Sequence, residues 1–302
     1  MKQRTTIVLL ILFFAGLIAL WWADSAKIPD YRQRQRMAGR VLPELVDVRP
    51  EEVRRIEIAG GERRLVFTRQ DDDSWQMIEP VDTLADRSRI AILLSNLKDL
   101  RKNADATTIE GPAAPYGLAP PARVVRLFGA DSRTPLAGLE LGGTIGTGRY
   151  VRSLGRGGIE VADAQKLSPL ELAASAWRER ALFGLSPYDV ARLKIVGPDR
   201  ALSLQRDEGR WQIRQPIRAP ADAQKVEGLL ADLAALRVVD GDAGFVADDV
   251  REMARYGLDP ARLRIEATPS STPGRPEGRP ETILIGAEVP GLVDRAYARR
   301  RD

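Results

Sequence analysis

The apolar positions of this chain switch between two periods, and they do so twice. Val53 to Ile58 reads Val-Arg-Arg-Ile-Glu-Ile, the alternation of a half-buried strand, and Val190 to Val196 repeats it. Leu65–Thr68 and Leu202–Gln205 predict second strands. Third strands follow over Ser74-Trp75-Gln76-Met77-Ile78-Glu79-Pro80 and Arg210-Trp211-Gln212-Ile213-Arg214-Gln215-Pro216. Pro80 and Pro216 close these runs, because proline donates no ladder hydrogen bond. The period then becomes helical. Ile90, Leu93, Leu94, Leu97 and Leu100 form one stripe, answered by Val226, Leu229, Leu230, Leu233 and Leu236. Asp86 and Asp222 stand where an N-cap belongs, able to accept from backbone amides that the helix leaves free.

Strand patterns resume at Arg123–Phe128 and Leu136–Leu141, echoed by Arg262–Ala267 and Thr282–Ile285. Before them comes a shared turn, Tyr116-Gly117-Leu118-Ala119-Pro120 and Tyr256-Gly257-Leu258-Asp259-Pro260, in which Gly ends a helical segment and Pro forbids its continuation. Trp75 and Trp211 are 136 residues apart, as are the two prolines; Tyr150-Val151-Arg152 recurs as Tyr297-Ala298-Arg299. The chain is a tandem repeat, and a repeat serves as an internal control. Shared residues read as fold-making, so the paired Trp belong to the core rather than to a stacking site for a ligand.

The predicted fold class is α+β: an N-terminal transmembrane helix, then two units, each a mixed or antiparallel sheet with one main packed helix. The expected boundaries are 1–23 for the anchor, 24–50 for a basic stalk, 51–186 for the first unit and 187–302 for the second. Past Tyr150 the first copy continues into a strand near Ile159–Val161 and a helix over Pro169–Arg180. The second stops soon after Tyr297, about one strand and one helix short of the first, so either the last unit is incomplete or the natural chain continues beyond Asp302. The second copy also inserts Pro269–Pro280, rich in Pro, Gly, Ser and Arg, as a private surface loop.

The span Thr5–Ala23 is uncharged, long enough to cross a bilayer, and ends on Trp21 and Trp22, whose rings favour the headgroup zone. A cleaved signal peptide is the alternative, but a cut after Ala23 would place Trp21 where a small residue is required. Lys2 and Arg4 precede the span while Lys27, Arg32, Arg34, Arg36 and Arg40 follow it, so the charge count alone does not orient it. Insertion in the manner of a signal sequence puts the bulk in the periplasm. The basic stretch Arg32–Arg40 then reads either as a contact with anionic headgroups or as a solvated stalk.

Composition removes whole classes of chemistry. Among 302 residues there is no Cys and no His, which excludes thiolate sites, histidine-ligated zinc and any triad with a histidine base. The net charge of +4 does not mark a nucleic-acid binder: Arg and Lys are interleaved with 42 acids, and no aromatic platform accompanies them. Gly143–Tyr150 has the glycine density of a phosphate loop but lacks the Lys-Ser/Thr that must follow, so it predicts a hairpin. Ser95-Asn96-Leu97-Lys98 matches the nucleophile-and-base spacing of penicillin-binding proteins. Its copy-two counterparts are Ala231 and Ala234 and its partner motifs are missing, so it reads as a solvated helix face. Asp71-Asp72-Asp73 and Asp207-Glu208-Gly209 are turn formers. Asp240–Asp249 is the densest remaining acidic stretch, without the ligand spacing of a calcium loop. No catalytic, cofactor-binding or metal-ligating residue is nominated, and no cofactor is expected.

The short anchor, the Trp strand ending in Pro, the Asp-capped Leu-rich helix and the Tyr-Gly-Leu-x-Pro turn resemble the domain-of-unknown-function family DUF4340. That resemblance implies a bacterial envelope protein held in the inner membrane. It also implies partnership with an ABC-type permease, its ATPase and a gliding-motility-like auxiliary component. The expected role is a non-enzymatic accessory or binding subunit of such a transport system. Two alternatives stand beside it: an envelope enzyme acting on glycan or peptide through carboxylates, whose pocket would hold them in one unit only, and a structural spacer.

Overall fold

The computed structural model describes residues 37–301, apart from 62, 132, 240, 242–243, 249–250 and 271–279. The expected anchor therefore lies outside the described residues, as does most of the expected loop Pro269–Pro280. No helix among the described residues is long and apolar enough to cross a membrane. The chain divides into two compact units, residues 1–172 and 173–302.

The first unit is built on one antiparallel sheet. Its strands are β1 (Arg55–Gly60), β2 (Arg63–Arg69), β3 (Trp75–Glu79), β4 (Thr83–Leu84), β5 (Arg123–Phe128), β6 (Pro135–Ile145), β7 (Gly148–Ser153) and β8 (Glu160–Asp163), in the spatial order β4-β3-β2-β1-β5-β6-β7-β8. Between β4 and β5 runs helix α1 (Arg87–Lys98). Asp86 caps it by accepting from the Ser88 and Arg89 amides at 2.9 and 3.1 Å. The stripe Ile90, Leu93, Leu94, Leu97 and Leu100 is buried, together with Ile56, Ile58, Phe67, Trp75 and Leu127 from the sheet. After β8 comes a single turn of helix, α2 (Ala164–Leu167).

The second unit repeats the plan with β9 (Val190–Val196), β10 (Ala201–Asp207), β11 (Arg210–Gln215), β12 (Ala219–Pro220), β13 (Leu263–Pro269), β14 (Glu281–Glu288) and β15 (Ala296–Arg301), ordered β12-β11-β10-β9-β13-β14-β15. Helix α3 (Ala223–Ala235) takes the place of α1, with Asp222 accepting from the Lys225 amide at 3.3 Å. Its core gathers Leu193, Leu204, Trp211, Val226, Leu230, Leu233, Ile265 and Ile283. The units share finer details. Both second strands carry a register shift against the Trp strand, at Val66/Phe67 and Ser203/Leu204. Both have cis peptide bonds before the equivalent prolines, Pro80 and Pro216, and Pro120 and Pro260.

Among the described residues every strand pairing in both sheets is antiparallel, the second of the two sheet types expected. Three expectations need correction. The described end of the expected stalk belongs to the first unit: Val41, Leu42 and Leu45 are buried, and the Val41 amide donates to Leu100 O at 3.0 Å. Three apolar side chains within five residues cannot remain in water when a core is within reach. The helix expected over Pro169–Arg180 is two separate 3-10 turns, Ser168–Glu171 and Ala174–Trp177. Leu172 and Ala173 between them are extended, which breaks the ladder. Finally, residues 173–186 pack with the second unit, since Leu182, Phe183 and Leu185 join its core.

Candidate functional site

Shared signatures occupy the scaffold. Trp75 and Trp211 are buried to 4% and 3% exposure. Gly117 and Gly257 both adopt left-handed backbone, with φ of 69° and 65°. A Cβ on Gly142 would overlap the Tyr116 carbonyl, and one on Gly286 the Tyr256 carbonyl, so each turn is seated against the β6 or β14 backbone. The glycine-rich Gly143–Tyr150 is the β6–β7 hairpin, closing at Ile145↔Gly148. In the acidic turn Asp72, its carboxylate accepts from the Ser74 hydroxyl and amide at 2.6 and 3.0 Å, and these bonds hold it below the usual carboxylate range.

Of the other sequence candidates, Ser95 and Lys98 line one hollow of about 170 Å³ with Leu45, Val48, Leu94 and Leu127. Ser95 is exposed, while Lys98 donates to Val48 O at 2.8 Å. Of the acidic stretch, Asp248 pairs with Arg178 at 2.5 Å; Asp240, Asp242 and Asp249 lie outside the described residues. Among the described residues no cluster of three or more carboxylates is arranged to hold a metal ion.

Two further concave sites, one on each unit, were not nominated from the sequence. The first is a polar cleft of about 420 Å³ in the first unit, lined by Glu110, Glu140, Arg152, Ser153 and the loop Leu154–Ile159. Cross-strand pairing of Glu140 with Arg152 brings Arg152 Nε and Nη2 each to 2.6 Å from Glu140 Oε2. The bridge between Ile109 and Ile159, 2.8 Å in both directions, holds the loop against the opposite wall. Beside the cleft, Ser153 Oγ donates to Glu44 Oε1 at 3.3 Å and Arg156 Nη2 lies 3.5 Å from Glu44 Oε2. Sheet register makes Glu140 the counterpart of Leu284: Leu139 pairs with Val125 as Ile283 pairs with Ile265. The cleft is private to one copy. A Glu opposite a Leu between copies was the sequence signal for it.

The second site is an open groove of about 550 Å³ on the second unit, lined by Ile195, Gly197, Pro198, Leu202, Pro216 and Leu263 among others. The exposed Ile217, next to Pro216, extends the apolar patch. Ile195 and Leu202 face each other across β9 and β10, as Ile58 and Leu65 do across β1 and β2. In the first unit that pair is 2% and 7% exposed; in the second both residues are only half-buried. The same sheet end is covered in one copy and uncovered in the other.

Two sheets of one topology, each with one Asp-capped helix on the same strands, define a tandem sheet-and-helix repeat protein. The repeat is also where the family lies. The chain belongs to the family described as Domain of unknown function (DUF4340), whose model matches residues 75–240 and again 211–302. Each match begins at the equivalent Trp. Neither a curated protein nor a solved structure matches the chain.

Proposed function

We propose that this protein is a non-enzymatic, membrane-anchored accessory subunit of a bacterial envelope ABC-type transport system of the gliding-motility kind. In this reading the span 5–23 anchors it in the inner membrane, the repeat units stand in the periplasm, and the second unit contacts a partner or exported substrate. The observation that carries it is the open apolar groove beside Ile195 and Leu202, at a position the first unit keeps covered. A groove walled by Ile195, Leu202, Pro216 and Leu263 offers an apolar contact surface. The setting is what the resemblance to the family implies; the family's own description assigns it no function.

The test is solubilisation of native membranes and affinity purification of the full chain. Retention of an ABC-type permease and its ATPase is expected. Recovery of the chain without either component, under conditions that keep the permease and ATPase together, overturns the reading.

The polar cleft favours a second reading, an envelope enzyme acting on glycan, because it places Glu110 and Glu140 in one unit only. Against it, Glu140 is engaged by Arg152 rather than presented to a substrate. Incubating wild type and Glu140→Gln with isolated peptidoglycan decides the matter: release of soluble fragments by the wild type alone is the only outcome that supports catalysis there.

A further inference from the structure

Residues 40–48 are stapled to the C-terminal end of α1. The Val41 amide donates to Leu100 O at 3.0 Å, and Lys98 Nζ donates to Val48 O at 2.8 Å. Arg40 Nη1 donates to Lys98 O and pairs with Asp99 at 2.9 Å. Between these ties runs the 3-10 turn Pro43–Leu45, and a hollow of about 170 Å³ is held open beside the helix. Leu45, Val53, Leu94 and Leu127 are buried and form its floor. Arg49, Pro50, Ala91 and Ser95 are exposed and stand at its mouth.

The mouth carries charge that the protein does not itself neutralise. Ser95 and Lys98 are three residues apart on α1, so they share a face, and both line the hollow. Lys98 is half-buried, and among the described residues its ammonium makes no ion pair. Val48 O takes one of its three protons. Arg49, the other cation at the mouth, is committed to Glu52 at 2.6 Å and Glu51 at 3.7 Å. The end of the helix does not by itself call for the lysine, since α3 has no basic residue in its last turn.

The twin unit fills the same place with apolar groups. The 3-10 turn Pro187–Asp189 precedes β9 as Pro50–Glu52 precedes β1, which puts Leu182 in the place of Leu45 and Leu185 in that of Val48. Leu182, Leu185 and Ala234 all pack against the second core, and Ala231 and Ala234 stand where α1 has Ser95 and Lys98. The two polar groups therefore belong to one copy and are not part of the shared scaffold.

We propose that the hollow is a binding site for a small aliphatic carboxylate. Its alkyl body sits on Leu45, Val53, Leu94 and Leu127, and its carboxylate accepts from Lys98 Nζ and Ser95 Oγ. An apolar cavity of about 150 Å³ admits one benzene, so the body has about six carbons. No aromatic side chain lines the hollow, which suits a chain better than a ring that needs a stacking face. A half-buried ammonium gains charge-assisted hydrogen bonds from such a ligand, and the floor gains apolar contact. Lys98 is engaged as a donor, so the Ser-x-x-Lys pair here receives an anion and does not act as nucleophile and base.

The probe is hexanoate, titrated into the full chain in phosphatidylcholine nanodiscs and followed by saturation-transfer NMR, with empty discs as the blank. Hexanoate is expected to bind about tenfold or more tighter than 1-hexanol, the difference being the hydrogen bonds to Lys98 and Ser95. Affinity should rise about fourfold per methylene from butanoate to hexanoate and level off by octanoate, where the hollow is full. Lys98→Met keeps the apolar stem and should erase the preference for hexanoate over hexanol, whereas a lysine that only ties α1 to Val48 would leave it unchanged. Ala91→Phe, at the exposed mouth, should block both ligands. No transfer to hexanoate beyond the empty discs, equal affinity for hexanol, or an unaltered preference in Lys98→Met each overturns the proposal. The comparison of hexanoate with hexanol uses the wild-type chain, so it stands even where a variant does not fold. Neither the transporter nor the groove of the second unit takes part, so this test and the co-purification fail independently.

Discussion

Tyr116 and Tyr150 meet edge to face, ring centroids 4.9 Å apart and planes inclined at 62°, and Tyr256 and Tyr297 repeat the contact at 5.0 Å and 70°. Each pair joins the left-handed Tyr-Gly-Leu turn to the last shared strand of its sheet. The pair explains why these tyrosines occur in both copies: the turn has little other means of registering itself on a strand so distant in sequence. Such ring pairs contribute about 0.5–1.5 kcal/mol beyond the area they bury. A double-mutant cycle of Tyr116→Leu and Tyr150→Leu, followed by chemical denaturation of the first unit, should return a coupling energy of that size. Additive effects would show that the rings merely share a surface.

The same turn depends on Gly142 and Gly286, where a Cβ would overlap the Tyr116 and Tyr256 carbonyls. The obstacle is backbone on both sides, so neither partner can rotate away. Gly142→Ala and Gly286→Ala should each destabilise their unit by about 1–3 kcal/mol or more, as overpacked interiors do. Gly157→Ala, with open space around its Cβ, should leave the thermal midpoint nearly unchanged.

Asp86 caps two amides of α1 and Asp222 one of α3. Replacing either by Ala should cost about 1 kcal/mol, and Asp86 should be the more costly of the two. Urea titrations monitored by circular dichroism check both the magnitude and the order.

Two perturbed carboxylates of the first unit, Asp72 and Glu160, predict opposite pH behaviour. Asp72 is lowered by its bonds from Ser74, so the stability it contributes is present above its unfolded value and is lost as pH falls through the lower folded value. Ser74→Ala should flatten the acid limb of the stability profile. Glu160 is raised, burial outweighing the charges of Lys102 and Arg156. Between its unfolded value and its higher folded value the native state holds more protons, so stability falls as pH rises through that window. Glu160→Gln should therefore gain on the wild type as pH climbs past the window, and match it below. Thermal midpoints across the acid range measure both.

The cleft pair Glu140 and Arg152 is part-exposed, at 15% and 33%. Taking the residue of the other copy, Glu140→Leu, should change stability by no more than about 1 kcal/mol, as exposed ion pairs generally do. Thermal denaturation tests it, and a much larger loss would assign the pair to the scaffold rather than to the cleft.

Features closed within a few residues were legible before any coordinates. The caps at Asp86 and Asp222, the turns at Asp72 and Gly209, the left-handed Gly117 and Gly257 and the helix stripes follow from local hydrogen bonding and period. The repeat then sorted shared scaffold from private residues. The tertiary structure alone decided what each exposed or buried residue touches. Val41, Leu42 and Leu45 look like stalk until a core is seen within their reach. Glu140 gains meaning only when strand register sets it beside Arg152. Ile195 and Ile58 occupy the same place in their repeats, yet one is half-open and the other sealed. In the first unit Glu171, more than a hundred residues along the chain from Ile58, reaches Arg123, whose side chain donates to Gly60 O beside that sheet end. Cover and register belong to distant segments, so a local pattern carries no record of them.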